Sequence, residues 1–331
     1  MTAAGQAGLA QLGPILAAGG ERLRAFMERT EDELRAAPGG HGEALGEHAR
    51  GTLEAGGKRL RPMLVYICAG DGDDAVVRAG VAVELLHSAT LVHDDVLDRA
   101  PLRRGRPTVF SSGGRAAATT TGDLLFSRAF AVLVRAGNAD AVRELSAASS
   151  ALARGELIQR ADAWSPDVTR ARYLERCELK TARLFEAACR MGAILGAPGE
   201  RALDALGDFG RRIGIAFQVF DDVLDVAGPA ERIGKARGTD LLDGTVTLPL
   251  ILARERDEAL ATMDLRAEVT DAATAEAVCD RIAATGALEE ARAEALTHVS
   301  EAKDGLLSLG LPEGQKRLLD LVADGVVERY S

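Results

Sequence analysis

Helix-forming residues recur along the whole of this 331-residue chain, and this feature restricts its fold more than any other. Alanine, leucine, arginine and glutamate are abundant, aromatic residues make up only 4%, and alternating runs of β-branched residues are nearly absent. These abundant residues lose little side-chain freedom in a helix, so the sequence favours helix throughout. We therefore predict an all-α protein. No linker or shift in composition divides the chain, which indicates one domain over residues 1–331.

Glycine and proline mark the boundaries of the predicted helices. Two segments, 99–107 and 227–244, combine glycine, proline and positive charge between long helices, and we interpret both as ordered loops or lids. The expected helices are 20–36, 43–55, 60–70, 75–98, 113–136, 140–162, 168–195, 200–226, 246–262, 273–284, 287–308 and 313–329.

The composition excludes several classes of protein. The net charge of −10 disfavours general binding to nucleic acid or anionic membranes, because their phosphate groups would repel the chain. None of the 4 cysteines lies in a CxxC pair, so neither a disulfide scaffold nor a zinc ribbon is expected. A basic leader and an apolar run of about 18 residues are both missing. We therefore expect a cytoplasmic protein with no integral membrane segment.

The pentapeptide DDVLD occurs twice, at 94–98 and at 221–225, and each copy follows an apolar run. On a helix, Asp94 and Asp98 lie on one face. Carboxylates this close repel one another unless cations neutralise them or water surrounds them. One copy alone is more often a solvated helix end, but two copies on apolar helices favour a metal site. Hard oxygen ligands suit Mg²⁺, which shares its shell with water and phosphate, so the implied partner is a polyphosphate ester.

Basic residues accompany these acids in the segments GGKRLRP, RRGRPT, ELKTARLF and GKARGTD. Arginine binds phosphate through two nitrogens at once, and lysine supplies a compact charge. Gly56 and Gly57 precede a helix with Pro62 in its first turn, so backbone amides there are also available to an anion. We interpret Arg59 and Arg106 as surface residues. The other cations predict a site for two diphosphates, one bound through Mg²⁺ and one bound directly.

Taken in order, these segments resemble the motifs of the trans-isoprenyl diphosphate synthases, the polyprenyl synthetase family, over about residues 50–255. The resemblance implies the isoprenoid synthase fold, a single large helical bundle around a deep central cavity. It also implies a Mg²⁺-dependent head-to-tail 1′-4 condensation of isopentenyl diphosphate with an allylic diphosphate. About three Mg²⁺ ions would serve each active site. A homodimer is expected because members of the family form one.

The resemblance further implies which residues serve each step. The metal ligands would be Asp94, Asp98 and Asp221. The residues that orient these ligands or their waters would be Asp95, Asp222 and Asp225. The cations on the allylic diphosphate would be Arg103, Lys180 and Lys235. The residues around isopentenyl diphosphate would be Lys58, Arg61, His87 and Arg104. The residues facing the developing allylic carbocation would be Thr181 and Gln218.

The implied mechanism requires no protein nucleophile. The allylic C–O bond ionises, the double bond of isopentenyl diphosphate attacks the cation, and the released diphosphate takes the proton. His93 is therefore interpreted as a supporting or core histidine and not as the general base. The 227–244 loop would close over the diphosphate and exclude water. Thr245 stands where the family often has a second lysine, which leaves more of this role to Lys235.

Product length is predicted from the residues four and five positions before Asp94, namely Thr90 and Ala89. In short-chain members of the family a bulky aromatic residue closes the tunnel here, so these small residues indicate a long-chain product. Phe126 and Phe130 are candidates for a floor on the opposite wall. We expect Ala89→Phe to shorten the product. If Ala89 serves only in close packing, this substitution would leave the product length unchanged.

Four alternatives remain. A short-chain synthase, making farnesyl or geranylgeranyl diphosphate, differs only in tunnel depth. A class I terpene cyclase shares the fold and the first acidic motif, but it has no use for a second diphosphate site. A non-catalytic partner subunit tends to lose aspartates, and all six are present here. A helical protein that binds Ca²⁺ or Mg²⁺ without chemistry would leave the basic residues unexplained.

Overall fold

Helices make up 79% of the computed structural model, which describes residues 3–197, 199–228 and 237–328, with side chains from residue 13 onward. The all-α prediction is confirmed: within these ranges the strands are only β1 (Leu102–Arg103) and β2 (Arg106–Pro107), an antiparallel hairpin. The first nine helices are α1 (Ala3–Ala36), α2 (Glu43–Glu54), α3 (Leu60–Ala69), α4 (Asp74–Leu97), α5 (Val109–Val134), α6 (Ala139–Ala161), α7 (Arg170–Cys177), α8 (Arg183–Gly196) and α9 (Glu200–Ala227). The others are α10 (Thr239–Leu242), α11 (Leu248–Arg254), α12 (Glu258–Thr262), α13 (Leu265–Glu268), α14 (Ala272–Ala284), α15 (Ala287–Leu306) and α16 (Glu313–Glu328).

Short polar side chains begin α4, which carries the first acidic row, and its neighbour α5. The Asp73 carboxylate accepts a hydrogen bond from the backbone N–H of Val76 at the start of α4, and the Thr108 hydroxyl accepts one from Ser111 at the start of α5. Each cap satisfies a backbone donor that the first helical turn leaves unpaired. Helix α4 packs against α3, α5 and α8, and α9 packs against α8 and α15. The two acidic motifs therefore end two of the central helices.

Helix α4 contradicts the expectation that the chain has no apolar segment of membrane-spanning length. By length and composition it qualifies, and it is the one helix among the described residues that does. However, 72% of its most apolar window is buried inside the protein. Leu85, Leu86 and Ala89 are completely buried, as expected of the core helix of a water-exposed bundle.

Three predicted helices differ from the structure. The first begins at Ala3 and is broken at Gly20, where φ is 63°. The predicted 246–262 helix is divided because the Asp257 carboxylate accepts hydrogen bonds from the backbone N–H groups that begin α12. The predicted 168–195 helix contains one π-helical turn, Glu178–Ala182, between α7 and α8. We call this segment the π-turn.

Two glycines allow the π-turn to lie close to its neighbouring helices. A Cβ atom on Gly155 of α6 would lie 2.6 Å from the backbone nitrogen of Lys180. A Cβ atom on Gly214 of α9 would lie 2.5 Å from the Cα atom of Ala182. Both distances are far below van der Waals contact, so only glycine fits at either position. The π-turn therefore lies directly between α6 and α9.

Candidate active site

The first acidic row, Asp94–Asp98, lies where α4 ends. Asp95 is buried and turns toward the hairpin, where its carboxylate accepts a hydrogen bond of 2.7 Å from Nε of Arg103. Asp98 is more exposed and pairs at 2.5 Å with Arg160 of α6. Burial, followed by the nearby charges of Glu156 and Asp98, raises the pKa of Asp94 to about 6, against the opposing influence of Lys180. The row therefore concentrates negative charge beside α6.

Lys180 of the π-turn provides the nearest counter-charge to this row. Its ammonium donates to Glu156 at 2.5 Å and to Gln159 at 3.2 Å. Burial opposes its charge, but Asp94 and Glu156 outweigh burial and raise its pKa. Lys180 thus remains protonated next to the first row.

The second acidic row, Asp221–Asp225, lies near the end of α9. The Asp222 carboxylate accepts hydrogen bonds of 2.7 Å from the Tyr173 hydroxyl and from the Gln218 side-chain amide. Burial and the charge of Asp240 raise the pKa of Asp222 to about 8. The Asp225 carboxylate accepts a hydrogen bond of 3.1 Å from the backbone N–H of Asp240. The start of α10 is therefore attached to the second row.

The π-turn connects the two rows. The Thr181 hydroxyl donates a 2.7 Å hydrogen bond to Oε1 of Gln218, and the amide nitrogen of Gln218 donates to Asp222. Lys180, the preceding residue, interacts electrostatically with Asp94 and Asp98. Adjacent residues of one turn thus interact with both rows, one through its charge and the other through Gln218. The rows do not face unconnected surfaces.

Three of the residues assigned to isopentenyl diphosphate, Arg61, His87 and Arg104, lie near one another. The Arg61 guanidinium lies 4.4 Å from the centre of the Phe185 ring. Burial lowers its pKa to about 10, with a further lowering from Arg104 and an opposing effect of Glu84. Burial, followed by the charges of Arg61 and Arg104, holds the pKa of His87 well below its ordinary value, so His87 is neutral.

Gly57 brings Arg104 into this group. A Cβ atom there would lie 3.0 Å from a guanidinium nitrogen of Arg104 and 3.2 Å from one of Arg59. Lys58, the next residue, is partly buried on the same loop. The structure therefore brings together the residues that were predicted from the sequence to bind isopentenyl diphosphate.

The interpretation of Arg59 as a surface residue is wrong. Its side chain is only 7% exposed and forms ion pairs with Glu31 at 2.5 Å and Glu84 at 2.9 Å. Its partners lie 28 and 25 residues away along the chain, so no local pattern indicated them. Arg106 is exposed, as predicted, at the edge of a cavity of about 290 Å³ between α2, α4 and the hairpin. Arg103 and Arg104 also line this cavity.

The loop after the second row is described only in part. Lys235 lies outside the described residues, so its predicted role has no structural counterpart here. Arg237 donates to the carbonyl of Val226 and pairs with Asp280 at 2.6 Å. Gly244 has φ of 75°, and its carbonyl accepts a 2.8 Å hydrogen bond from the backbone N–H of Trp164. A Cβ atom on Gly244 would lie 2.3 Å from the indole ring.

The two residues predicted to control product length differ in exposure. Ala89 is completely buried, whereas Thr90 is partly exposed and its hydroxyl donates to the carbonyl of His87 at 2.8 Å. The proposal of a floor at Phe126 is wrong for the single chain, because this side chain is 37% exposed on the outside of α5. Its ring centre lies 5.3 Å from that of Phe130, which is partly buried against the core.

The donor chemistry of the two rows fits Mg²⁺. Among the described residues, no three His, Cys, Asp or Glu side chains already form one cation site. Mg²⁺ does not require such a cage, since it usually binds one or two carboxylates and completes its shell with water and phosphate. Burial opposes ionisation of Asp94 and Asp222, so a bound cation would stabilise both carboxylates.

Sequence reasoning missed the side chains that support the site. Tyr173 binds Asp222, and the acidic and amide groups of Glu156 and Gln159 bind Lys180. Arg160 completes this group by pairing with Asp98 and Glu156. The only sequence signal for these residues was the spacing of Glu156, Gln159 and Arg160 along α6. Such a spacing is equally typical of the solvent-exposed face of a helix.

Comparison with known proteins gives one consistent result. The family model described as polyprenyl synthetase matches residues 43–284. The heptaprenyl diphosphate synthase component 2 of Geobacillus stearothermophilus is 38% identical over 89% of this chain and 93% of its own length. The geranylgeranyl diphosphate synthase of Methanosarcina mazei is 38% identical over 87% and 90%. The crystal structure of a polyprenyl synthase from Caulobacter crescentus, complexed with calcium and isoprenyl diphosphate, has a TM-score of 0.88 and 33% identity over 94% of this chain and 98% of that one.

Proposed function

Because this chain belongs to the polyprenyl synthetase family and is a prenyltransferase, we propose that it joins isopentenyl diphosphate to an allylic diphosphate. The reaction is a Mg²⁺-dependent head-to-tail 1′-4 condensation. The observation that supports it best is the π-turn, which interacts electrostatically with one acidic row through Lys180 and is hydrogen-bonded to the other through Thr181 and Gln218. A non-catalytic cation-binding protein would not need this connection.

The residues of the first diphosphate site would position the leaving group. Asp94, Asp98 and Asp221 would hold Mg²⁺, which when bound supplies positive charge to the departing diphosphate. Lys180 is charged and lies beside the same row, so it would bind the same group directly. Arg103, already fixed by Asp95, would present its remaining donors to it.

The second half of the site would stabilise the carbocation and align its partner. The Thr181 hydroxyl donates its hydrogen bond to Oε1 of Gln218, so the lone pairs of the Thr181 oxygen remain available to positive charge. Lys58, Arg61 and Arg104 would hold isopentenyl diphosphate with its double bond toward the cation. The proton lost after attack would go to an oxygen of the released diphosphate.

The test of this activity is an assay of the purified chain alone with labelled isopentenyl diphosphate, farnesyl diphosphate and Mg²⁺. The expected result is a longer prenyl diphosphate, lost on chelation and restored by added Mg²⁺. A cyclic hydrocarbon formed from the allylic substrate alone would favour the terpene cyclase alternative. One relative is named as a component, so activity that requires a second chain would favour the partner-subunit alternative. Absent turnover, with Mg²⁺ still raising the melting temperature, would favour a simple cation-binding protein.

A long-chain product is the second part of the proposal. It is supported by the small side chains of Ala89 and Thr90 before the first row. Relatives with equal identity carry the names of long-chain and short-chain synthases, so this point needs its own test. Thr90→Phe is preferable to Ala89→Phe, because adding an aromatic ring at the fully buried Ala89 also overpacks the core. We expect shorter products from Thr90→Phe and unchanged products from Thr297→Phe on α15, by chromatography.

We also propose that the protein is a homodimer. The neighbouring helices α5 and α6 expose Phe126, Val134 and Leu157 to 37%, 61% and 70%. Large exposed apolar side chains are typical of a surface covered by a partner. Sedimentation should give a dimer for the parent protein and a monomer after Phe126→Glu with Val134→Glu. All four cysteines are free and buried, which supports the predicted reducing, cytoplasmic location.

A further inference from the structure

We infer that Arg59 is a positioning residue for the isopentenyl diphosphate site: it fixes the loop that carries Lys58 and Arg61 without touching the substrate. This inference rests on the proposed function, since that function gives the two neighbours their ligand. The two arginines of the segment GGKRLRP would have different roles. One arginine of the segment is bound by the protein, and the other remains available to a ligand.

The guanidinium of Arg59 joins three separate elements. Its Nε donates to Glu31 of α1 at 2.5 Å, and one terminal nitrogen donates to Glu84 of α4 at 2.9 Å. The other terminal nitrogen donates to the backbone carbonyl of Leu53 in α2 at 2.8 Å. A planar fork with donors in several directions can form all these bonds at once, whereas an ammonium group cannot span them. The loop is therefore anchored to α1, α2 and α4 through one side chain.

The backbone at Arg59 depends on this anchor. Arg59 has φ of 48° and ψ of 34°, the left-handed conformation, which non-glycine residues rarely adopt. It immediately precedes α3, and Gly56 on the other side of Lys58 also has positive φ. The Arg59 carbonyl accepts a backbone hydrogen bond of 3.1 Å from Met63, and the other described contacts of Arg59 are those of its side chain. These side-chain contacts therefore help to offset the cost of the left-handed conformation.

Arg61 has the opposite arrangement. Its Nε is buried and has no hydrogen-bond partner among the described residues, while its guanidinium rests on Phe185. Glu84, which binds Arg59, also provides the compensating charge for Arg61. The donors of Arg59 are thus satisfied by protein, whereas Arg61 retains donor capacity for an anion. Loss of Arg59 would leave Glu84 without its bound partner and free to draw Arg61 out of the diphosphate site.

The test compares the Michaelis constants of the two substrates. Because Arg59→Met removes buried charge-assisted hydrogen bonds that fix the loop, we expect the KM for isopentenyl diphosphate to rise about tenfold or more. The KM for the allylic diphosphate should change less than about twofold. Arg59→Lys keeps one ion pair and should give a rise of about threefold. Calorimetric titration of isopentenyl diphosphate should give the same order of affinities without turnover.

Two further variants keep the test decisive. Glu31→Gln weakens the half-exposed arm of the anchor and should raise the KM for isopentenyl diphosphate about twofold, even if Arg59→Met fails to fold. The matched control is Arg29→Met, which breaks another α1–α4 ion pair, with Asp74, that does not reach the loop. It should leave both KM values unchanged.

The outcomes separate the two proposals. If the parent protein does not elongate allylic diphosphates, the proposed function fails. If it does, and the variants of Arg59 and Glu31 leave the KM for isopentenyl diphosphate unchanged or raise both constants equally, only the positioning role is overturned. A lower melting temperature without a change in either constant would likewise overturn it, since that is the result of a purely structural residue.

Discussion

The two DDVLD rows have the same amino-acid sequence but different surroundings in the structure. In the first row the middle carboxylate, Asp95, is neutralised by the guanidinium of Arg103. In the second row the equivalent Asp222 receives two neutral donors, the Tyr173 hydroxyl and the Gln218 amide. The ends differ as well, because Asp98 pairs with Arg160 whereas Asp225 binds a backbone N–H.

This difference indicates separate tasks for one motif. A row with its own arginines brings cations that can also bind a diphosphate, so the first row is suited to substrate as well as metal. In the second row the hydrogen-bond donors described on Asp222 are neutral, so they hold this side chain in place without a guanidinium bound to it. The sequence pattern specifies the carboxylates, and the neighbouring helices specify what each carboxylate does.

The largest effects should come from the metal ligands, and they test whether both rows are required. Because both rows would carry the ion that neutralises the leaving group, we expect Asp94→Asn and Asp221→Asn each to lower kcat by about 10²–10³-fold. Steady-state turnover of labelled isopentenyl diphosphate measures this. Asp140→Asn, which alters an exposed ion pair with Arg143, is the control. Full activity of Asp221→Asn would contradict a metal role for the second row.

The next effect should distinguish the rows by substrate binding. Arg103→Met removes the charge-assisted contact with Asp95 in the first row, so the KM for the allylic diphosphate should rise about 10–100-fold. The KM for isopentenyl diphosphate should change less than about threefold. Initial rates with each substrate varied in turn provide both constants. Equal rises in the two constants would mean that Arg103 only maintains the shape of the site.

A stability effect should follow from the neutral partners of the second row. Tyr173→Phe leaves the buried Asp222 carboxylate without one of its donors, so the free energy of unfolding should fall by about 1–3 kcal/mol. Urea denaturation measures it. The variant should keep both KM values, in contrast to Arg103→Met. In an Asp222→Asn background, which retains a neutral acceptor, the loss should be smaller, and an equal loss in both backgrounds would show that the acidic group adds nothing to this hydrogen bond.

The smallest effect concerns the exposed end of the first row. The Arg160 and Asp98 side chains are 38% and 31% exposed, so Arg160→Met should change the free energy of unfolding by less than about 0.5 kcal/mol. Arg160 competes with Mg²⁺ for the Asp98 carboxylate, so the half-saturating Mg²⁺ concentration should fall slightly. A marked increase in that concentration would mean that Arg160 supports the metal site.

The sequence was sufficient for most helices and for the residues of the two rows, because helix propensity and charge repulsion act over short distances along the chain. The helices containing Asp94 and Asp221 extend to within about two residues of their predicted ends. The π-turn was not predictable in this way. It packs closely against Gly155 and Gly214, on helices that precede and follow it, and neither glycine has a local signature.

Arg59 illustrates the same limit for the site. Beside Lys58 and Arg61 it looked like one more basic residue, and its burial depends on Glu31 and Glu84 from two other helices. Long-range ion pairs of this kind are visible only when the helices are placed in space. Lys235 is the reverse case, a residue that the motif marks clearly and that lies outside the described part of the chain.

The contact between Trp164 and Gly244 has a practical consequence. Trp164 is the single tryptophan of the chain, and its indole ring lies against the segment that returns from the second acidic row. The ultraviolet emission of the folded protein therefore originates at one known junction. Addition of a diphosphate or of Mg²⁺ can be followed there in real time, without a dye or an introduced label.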